Sequence, residues 1–194
     1  ANVGRFLFAS TCAVYGASGG DPQNEECDLR LISAYAKSKA YAEQRLLALA
    51  DSSFSPVILR NATVYGVSPR LRLDTVVNDF TASAVTRGRI DVQTNGRAWR
   101  PLIHVEDVAR AYAAVLVAPA KSVDRQTFNV AITEENYRVV DVADLVTDLV
   151  PASERTLSAA TPDRRSYFVE GTKLRRALPH FSWRWTLAQG IRQL

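Results

Sequence analysis

Tyr35 and Lys39 stand four residues apart in SAYAKSKAYAEQ (33–44), at the start of a segment that reads as a helix. On a helix, residues i and i+4 share a face about one turn apart. A lysine ammonium so placed favours the ionised form of a phenol. Tyr35 is then suited to take a proton from a hydroxyl or to return one to a carbonyl. A single pair at this spacing is weak, and by itself it reads more simply as a packed tyrosine beside a solvated lysine. Thr11 strengthens it. It closes the apolar run GRFLFAST (4–11) some twenty residues earlier and offers a hydroxyl that can bond a substrate oxygen beside Tyr35. Active groups in open α/β sheets collect at the carboxyl ends of strands.

Those groups need elements to hold them. GRFLFAST holds the continuous apolar run FLFA (6–9) and reads as a strand buried on both faces, as in a parallel sheet. GASGGDPQNEECD (16–28) is dense in turn formers and reads as a polar loop. Ser33 is placed to cap the next helix, which carries Ala34, Ala42, Leu46, Leu47 and Leu49 and stops near Asp51. SPVILR (55–60) is a second buried strand, and a helix is expected over about 73–86. IDVQT and RPLIHV read as strands, 105–118 as a helix, QTFNVA as a strand and 138–150 as a helix. RTLSAA and short helical pieces ending WTLAQGIRQL complete the chain. Strands alternating with helices predict an α/β fold with a mostly parallel sheet. A buried parallel strand starting at residue 5 should have neighbours, which predicts that the chain is the later part of a longer protein.

Composition narrows the function. Of 194 residues, 47% are apolar and 23% charged, as in a soluble globular domain. No apolar run approaches the roughly 20 residues of a membrane span, so no membrane role is expected. The net charge is +4 and the sequence pI about 9.3, but the arginines are dispersed rather than interleaved with aromatics, which argues against nucleic acid. Two cysteines, Cys12 and Cys27, form no disulfide framework or metal spacing, and two histidines stand far apart. A cytoplasmic setting and no metal are expected.

Taken in order, STCAVYG, YAKSK, LRNATVYG and RPLIHVEDVARAY resemble the extended short-chain dehydrogenase/reductase family, the NAD-dependent sugar-nucleotide epimerases and dehydratases. TFNVA and YFVEGTKLRRAL…WTLAQGI resemble its C-terminal pattern, so the whole chain matches roughly the C-terminal two-thirds of the family pattern. The resemblance implies a Rossmann-like sheet from 1–66, with 100–118 and 126–131 returning to it. A smaller substrate-binding lobe would come from 67–99 and 132–194. It implies Tyr35 as general acid/base, Lys39 on the nicotinamide ribose, and Thr11 on the substrate oxygen. Asn61 and Ala62 would touch the nicotinamide, and Thr63 and Arg100 would face the phosphates of a nucleotide-sugar, with Arg70 among the candidates for a second phosphate arginine. The cofactor implied is NAD, with NADP left open, and the partner a second copy through helix 34–50. His104 matches a family position that is usually a packed structural residue.

Departures from the family pattern are as informative. Where dehydratases carry Asp and Glu for water loss, this chain has Cys12 and Ala13, which favours an epimerase or reductase. The Asn usual before Val-Tyr-Gly is Thr63, and the Asp usual after the phosphate arginine is Pro101. The second phosphate arginine is missing from SAATPD. A ketoreductase on a non-nucleotide substrate and a non-catalytic binding or regulatory relative are the rival readings. The family's glycine-rich dinucleotide fingerprint is nowhere in the sequence. Without that turn and helix N-terminus the pyrophosphate has no seat, so the 194 residues alone are expected to bind NAD poorly and to be inactive.

Overall fold

A computed structural model describes residues 3–157 and 162–194. Along the chain, β1 (Arg5–Thr11) runs into a single 3-10 turn (Cys12–Tyr15), then β2 (Ala17–Gln23) and α1 (Ala34–Ala48). Next come β3 (Ser55–Asn61), β4 (Thr63–Tyr65), α2 (Val76–Arg87), β5 (Arg89–Val92), β6 (Trp99–His104) and α3 (Val105–Val117). They are followed by α4 (Ala120–Val123), β7 (Thr127–Val130), β8 (Asn136–Arg138), α5 (Val139–Leu149), β9 (Glu154–Leu157), β10 (Ser166–Val169), α6 (Thr172–Ala177) and α7 (Leu187–Gln193).

The central sheet has the order β1-β3-β7 and is parallel. The two apolar runs read from the sequence lie side by side, from Arg5 opposite Ser55 to Thr11 opposite Asn61. Thr11 and Asn61 therefore end their strands at the same level. After Ala62 the chain enters β4, which pairs in parallel with β6, and β6 pairs antiparallel with β8. The pairs β2–β10 and β5–β9 are both parallel. One apolar cluster joins Val57, Leu59, Phe128 and Val130 of the central sheet to Ala111 and Val115 of α3. A second joins Val77 and Phe80 of α2 to Ile90, Val142, Val146 and Leu187. The fold is thus α/β, mostly parallel, as the alternation of elements predicts.

Local chemistry explains the helix starts. Ser33 caps α1 as expected, its Oγ accepting from the Ala36 N–H at 3.1 Å. Two details differ from the sequence reading. The segment 16–28 is not all loop: β2 forms because β10, far along the chain, supplies its ladder bonds, a partner no local pattern announces. Helix α2 starts at Val76 rather than Leu73, because Thr75, its N-cap, holds an extended backbone after the turn in which Arg72 and Asp74 pair. At RTLSAA, to which the sequence reading assigns no element, β9 runs as far as Leu157; the rest of that segment, like most of SAATPD, lies outside the described residues. A second copy docking through helix 34–50 would call for an apolar outer face; α1 exposes Tyr41, and Leu49 at its C-cap is exposed, but Lys37, Ser38, Gln44 and Arg45 are exposed too. The outer face is mixed rather than an apolar stripe.

Candidate functional site

Where β1 and β3 end, a cleft of about 820 Å³ opens. Thr11, Tyr35, Lys39, Asn61, Ala62, Thr63 and Arg100 all line it, so residues spread over ninety positions meet in one place. Arg70 does not line it; Arg72, two residues on, does. Arg72 is tied to Asp74 at 2.7 Å in an exposed pair.

Each side chain is held by its element. Thr11 Oγ1 accepts from the Ala13 N–H at 3.1 Å, capping the 3-10 turn at the end of β1. Tyr35 begins α1 and is 54% exposed toward the cleft. Lys39, one turn on, donates from Nζ to the Ala9 carbonyl at 2.8 Å, 5.9 Å from the Tyr35 ring centroid. The ammonium is thereby fixed to the strand that carries Thr11. Asn61 donates from Nδ2 to Tyr112 Oη at 2.8 Å, while its Oδ1 is buried without a hydrogen-bond partner among the described residues. Burial pushes the Tyr112 phenol up, with the Asn61 bond acting against it. A buried acceptor left open is costly unless a donor arrives.

Other groups carry a different message. Cys12 is buried, donates from Sγ to the Arg60 carbonyl at 3.1 Å, and has its thiol pushed well up by burial against the attraction of Arg60. Ala13 is the neighbour that lines the cleft. Arg100 is already engaged: Nη2 meets Asp163 Oδ2 at 2.5 Å and Nη1 donates to the carbonyls of Trp99 and Arg165. His104 lies away from the cleft lining, stacked on Trp185 at 3.9 Å with Nε2 2.8 Å from Gln193 Oε1. It is a packed structural residue.

Sequence reasoning missed a buried polar chain behind the cleft. Arg60 grips both Glu43 carboxylate oxygens, with Nη2 2.7 Å and Nε 3.1 Å from them, and donates from Nη1 to Tyr15 Oη at 3.1 Å. Tyr15 donates in turn to Asn129 Oδ1 at 2.7 Å, and Ser10 Oγ donates to Glu43. The available signal was Glu43 itself, four beyond Lys39 as Lys39 is four beyond Tyr35.

A parallel sheet whose strand ends bring a hydroxyl and a helical Tyr-x-x-x-Lys pair together defines the short-chain dehydrogenase/reductase class. Within it, the sequence model of the NAD dependent epimerase/dehydratase family matches residues 1–131, and the chain belongs to that family. It is 28% identical over 182 residues to a trifunctional UDP-glucose 4,6-dehydratase/UDP-4-keto-6-deoxy-D-glucose 3,5-epimerase/UDP-4-keto-L-rhamnose reductase of Arabidopsis thaliana, covering 90% of this chain and 26% of that protein. Among solved structures it is similar to an NAD-dependent NDP-hexosamine 5,6-dehydratase of tunicamycin biosynthesis (TM-score 0.84, 25% identity, 99% of this chain and 62% of that one). It is also similar to a protein solved with UDP-glucose and NAD (TM-score 0.81, 28% identity, 99% and 64%). The chain thus spans about a quarter of the curated relative and under two-thirds of each structure. Among the described residues no helix is long and apolar enough to cross a membrane.

Proposed function

We propose that the protein carrying this chain is an NAD- or NADP-dependent oxidoreductase or epimerase that works by hydride transfer at a carbinol or keto carbon of a nucleotide-sugar. The observation that carries this reading is the convergence of Thr11, Tyr35, Lys39 and the open Asn61 acceptor on one cleft. Support from similarity comes from the family and from relatives whose names specify sugar nucleotides and NAD.

The residues present fit the nicotinamide end of such a cofactor. Lys39 would hold the ribose, Ala62 leaves room for the ring, and the buried Asn61 Oδ1 would accept from the carboxamide N–H. NAD, when bound, supplies a hydride acceptor and donor. Thr11 would hold the substrate oxygen. As the carbon's C–H bond pair leaves as hydride, Tyr35 takes the hydroxyl proton, and it returns that proton when a carbonyl is reduced. With an inert thiol at Cys12 and a methyl at Ala13, the positions that would eliminate water carry no acid or base. Epimerisation or reduction is therefore favoured over dehydration. Residues 1–66, 100–118 and 126–131 form the cofactor half of this reading, and 67–99 with 132–194 the substrate half. A homodimer through α1, a cytoplasmic setting and inactivity of the 194 residues alone belong to the same proposal.

A ketoreductase on a non-nucleotide substrate is favoured by one observation: Arg100, the phosphate arginine, already spends its fork on Asp163. The test uses the protein with a panel of sugar nucleotides and simple ketones, following cofactor absorbance and product stereochemistry. Tyr35→Phe should lower turnover about 10²-fold or more without unfolding, and Lys39→Ala should weaken cofactor binding as well as rate. Near-normal turnover in Tyr35→Phe would remove Tyr35 from the acid/base role, and turnover of neither panel would leave the non-catalytic relative as the reading.

A further inference from the structure

Apart from the Lys39 bond to the Ala9 carbonyl, helix α1 presents little to the sheet that could fix where it sits along its own axis. Its buried residues are Ala36, Ala40 and Glu43. Two alanines let the helix approach closely, but methyl groups resist sliding weakly. A slip of one residue moves a helix 1.5 Å and turns it by 100°. Such a slip would take Tyr35 off Thr11, and errors of about 1 Å in a reacting geometry cost on the order of 10²-fold in rate.

Glu43 is the directional contact on that buried face. Its side chain is 5% exposed and that of its partner, Arg60, 7%. The planar fork of an arginine on a carboxylate fixes orientation as well as distance. Ser10 Oγ donates to the same carboxylate, and Ser10 pairs across the sheet with Arg60 in the register that sets Thr11 opposite Asn61. The three residues therefore sit beside the site residues on the elements that carry them: Ser10, at the cleft wall, before Thr11, Arg60 before Asn61, and Glu43 one turn beyond Lys39. Tyr15, itself bonded to Asn129, holds the far side of the guanidinium.

We infer that Ser10, Glu43 and Arg60 are positioning residues that lock the height and rotation of α1 over the sheet, and so hold Tyr35 and Lys39 in register with Thr11 and Asn61. The inference rests on the proposed function for its catalytic consequence, while its geometric content stands apart from it. A buried ion pair is weak evidence for stability, because well-packed apolar replacements are often as stable. That makes a clean test possible.

The double variant Glu43→Met/Arg60→Met removes both charges together and leaves neither buried alone. Ser10→Ala keeps the ion pair and cuts its link to β1. Both are compared with the unaltered protein by circular dichroism and thermal unfolding, by the 15N spectrum of the lysine ammonium groups, and by kcat and KM. The Lys39 signal is assigned by its loss in Lys39→Arg. We expect the double variant to stay folded, to lose the Lys39 signal that reports the bond to Ala9, and to lower kcat about 10²-fold with KM little changed. Ser10→Ala should shift the same signal and lower kcat less. An unaltered Lys39 signal and kcat in the folded double variant would overturn the inference. If that variant does not fold, an unaltered signal in Ser10→Ala overturns it instead. Should the unaltered protein turn over no sugar nucleotide, the functional reading fails while the Lys39 signal still decides the positioning role.

Discussion

Tyr35, Lys39 and Glu43 occupy three successive turns of one helix face, and their surroundings change from open cleft to sealed interior along it. The same progression separates groups that can react from groups that cannot. Cys12 illustrates the second kind. The thiolate is the reactive form of a cysteine, and burial, outweighing the nearby Arg60, pushes the Cys12 thiol far up. Cys27 is only partly buried. With Ellman's reagent at pH 8, one thiol per folded chain should react within minutes and the second only after unfolding. Two fast thiols would mean that the 3-10 turn at the end of β1 opens readily, and the argument against dehydration chemistry at this position would weaken.

At the scale of elements, the strands and helices that carry the site announce themselves, and those that brace it do not. β1 and β3 are apolar on both faces, α1 has its cap at Ser33, and Thr11 and Tyr35 sit where such elements end, so sequence alone brings them together. β2 has glycines, an aspartate and a proline, and its order comes from β10 and from Asn129 on β7, whose side-chain amide donates to the Gln23 and Glu170 carbonyls. Arg60 hides in the same way, as a charge at the end of an apolar strand whose partner lies on a helix seventeen residues earlier. Side-chain pairing between distant elements has no period to read. Glu25, just after β2, completes this brace by accepting from the Asn129 N–H at 2.6 Å. Burial pushes the Glu25 carboxyl up, with that bond and the charges of Lys173 and Arg60 acting against it. The folded state therefore holds this proton more tightly than the unfolded state does. Its contribution to stability is full below pH 4.5, the ordinary value, and is lost as pH rises through the raised folded value. Glu25→Gln keeps the acceptor and removes the titration. The melting temperature of the variant should gain on that of the unaltered protein as pH rises above 4.5, then hold a constant lead. A gap that is flat from pH 4 to 8 would mean that Glu25 is well solvated.

For the molecule as a whole, the order β1-β3-β7 leaves β1 with one strand neighbour among the described residues. Phe6 on this edge strand is 39% exposed. A sheet edge of this kind offers free backbone groups to another strand. In the proposed reading Lys39 and Asn61 hold the nicotinamide end, but a dinucleotide also needs a place for its doubly charged pyrophosphate. In this fold class that place is a glycine turn feeding a helix N-terminus, where backbone N–H groups and the helix dipole face the phosphates. Among the described residues only α6 follows a glycine, and it fails the requirement. Gly171 is pressed against the Ala131 carbonyl, where an added Cβ would lie 1.8 Å from the oxygen, and it does not line the cleft. Lys39 and Asn61 alone supply two or three hydrogen bonds at about 1 kcal/mol each, far short of the roughly 8 kcal/mol of micromolar binding. Calorimetric titration of NAD into the 194-residue chain should therefore show no binding at micromolar concentrations. Adenosine diphosphate, which carries the phosphates without the nicotinamide, should do no better. Micromolar affinity for NAD but not for the diphosphate would place most of the binding energy on the nicotinamide end. Equal affinity for both would show that arginines such as Arg72 and Arg165, which line the cleft, seat the phosphates in place of a glycine turn.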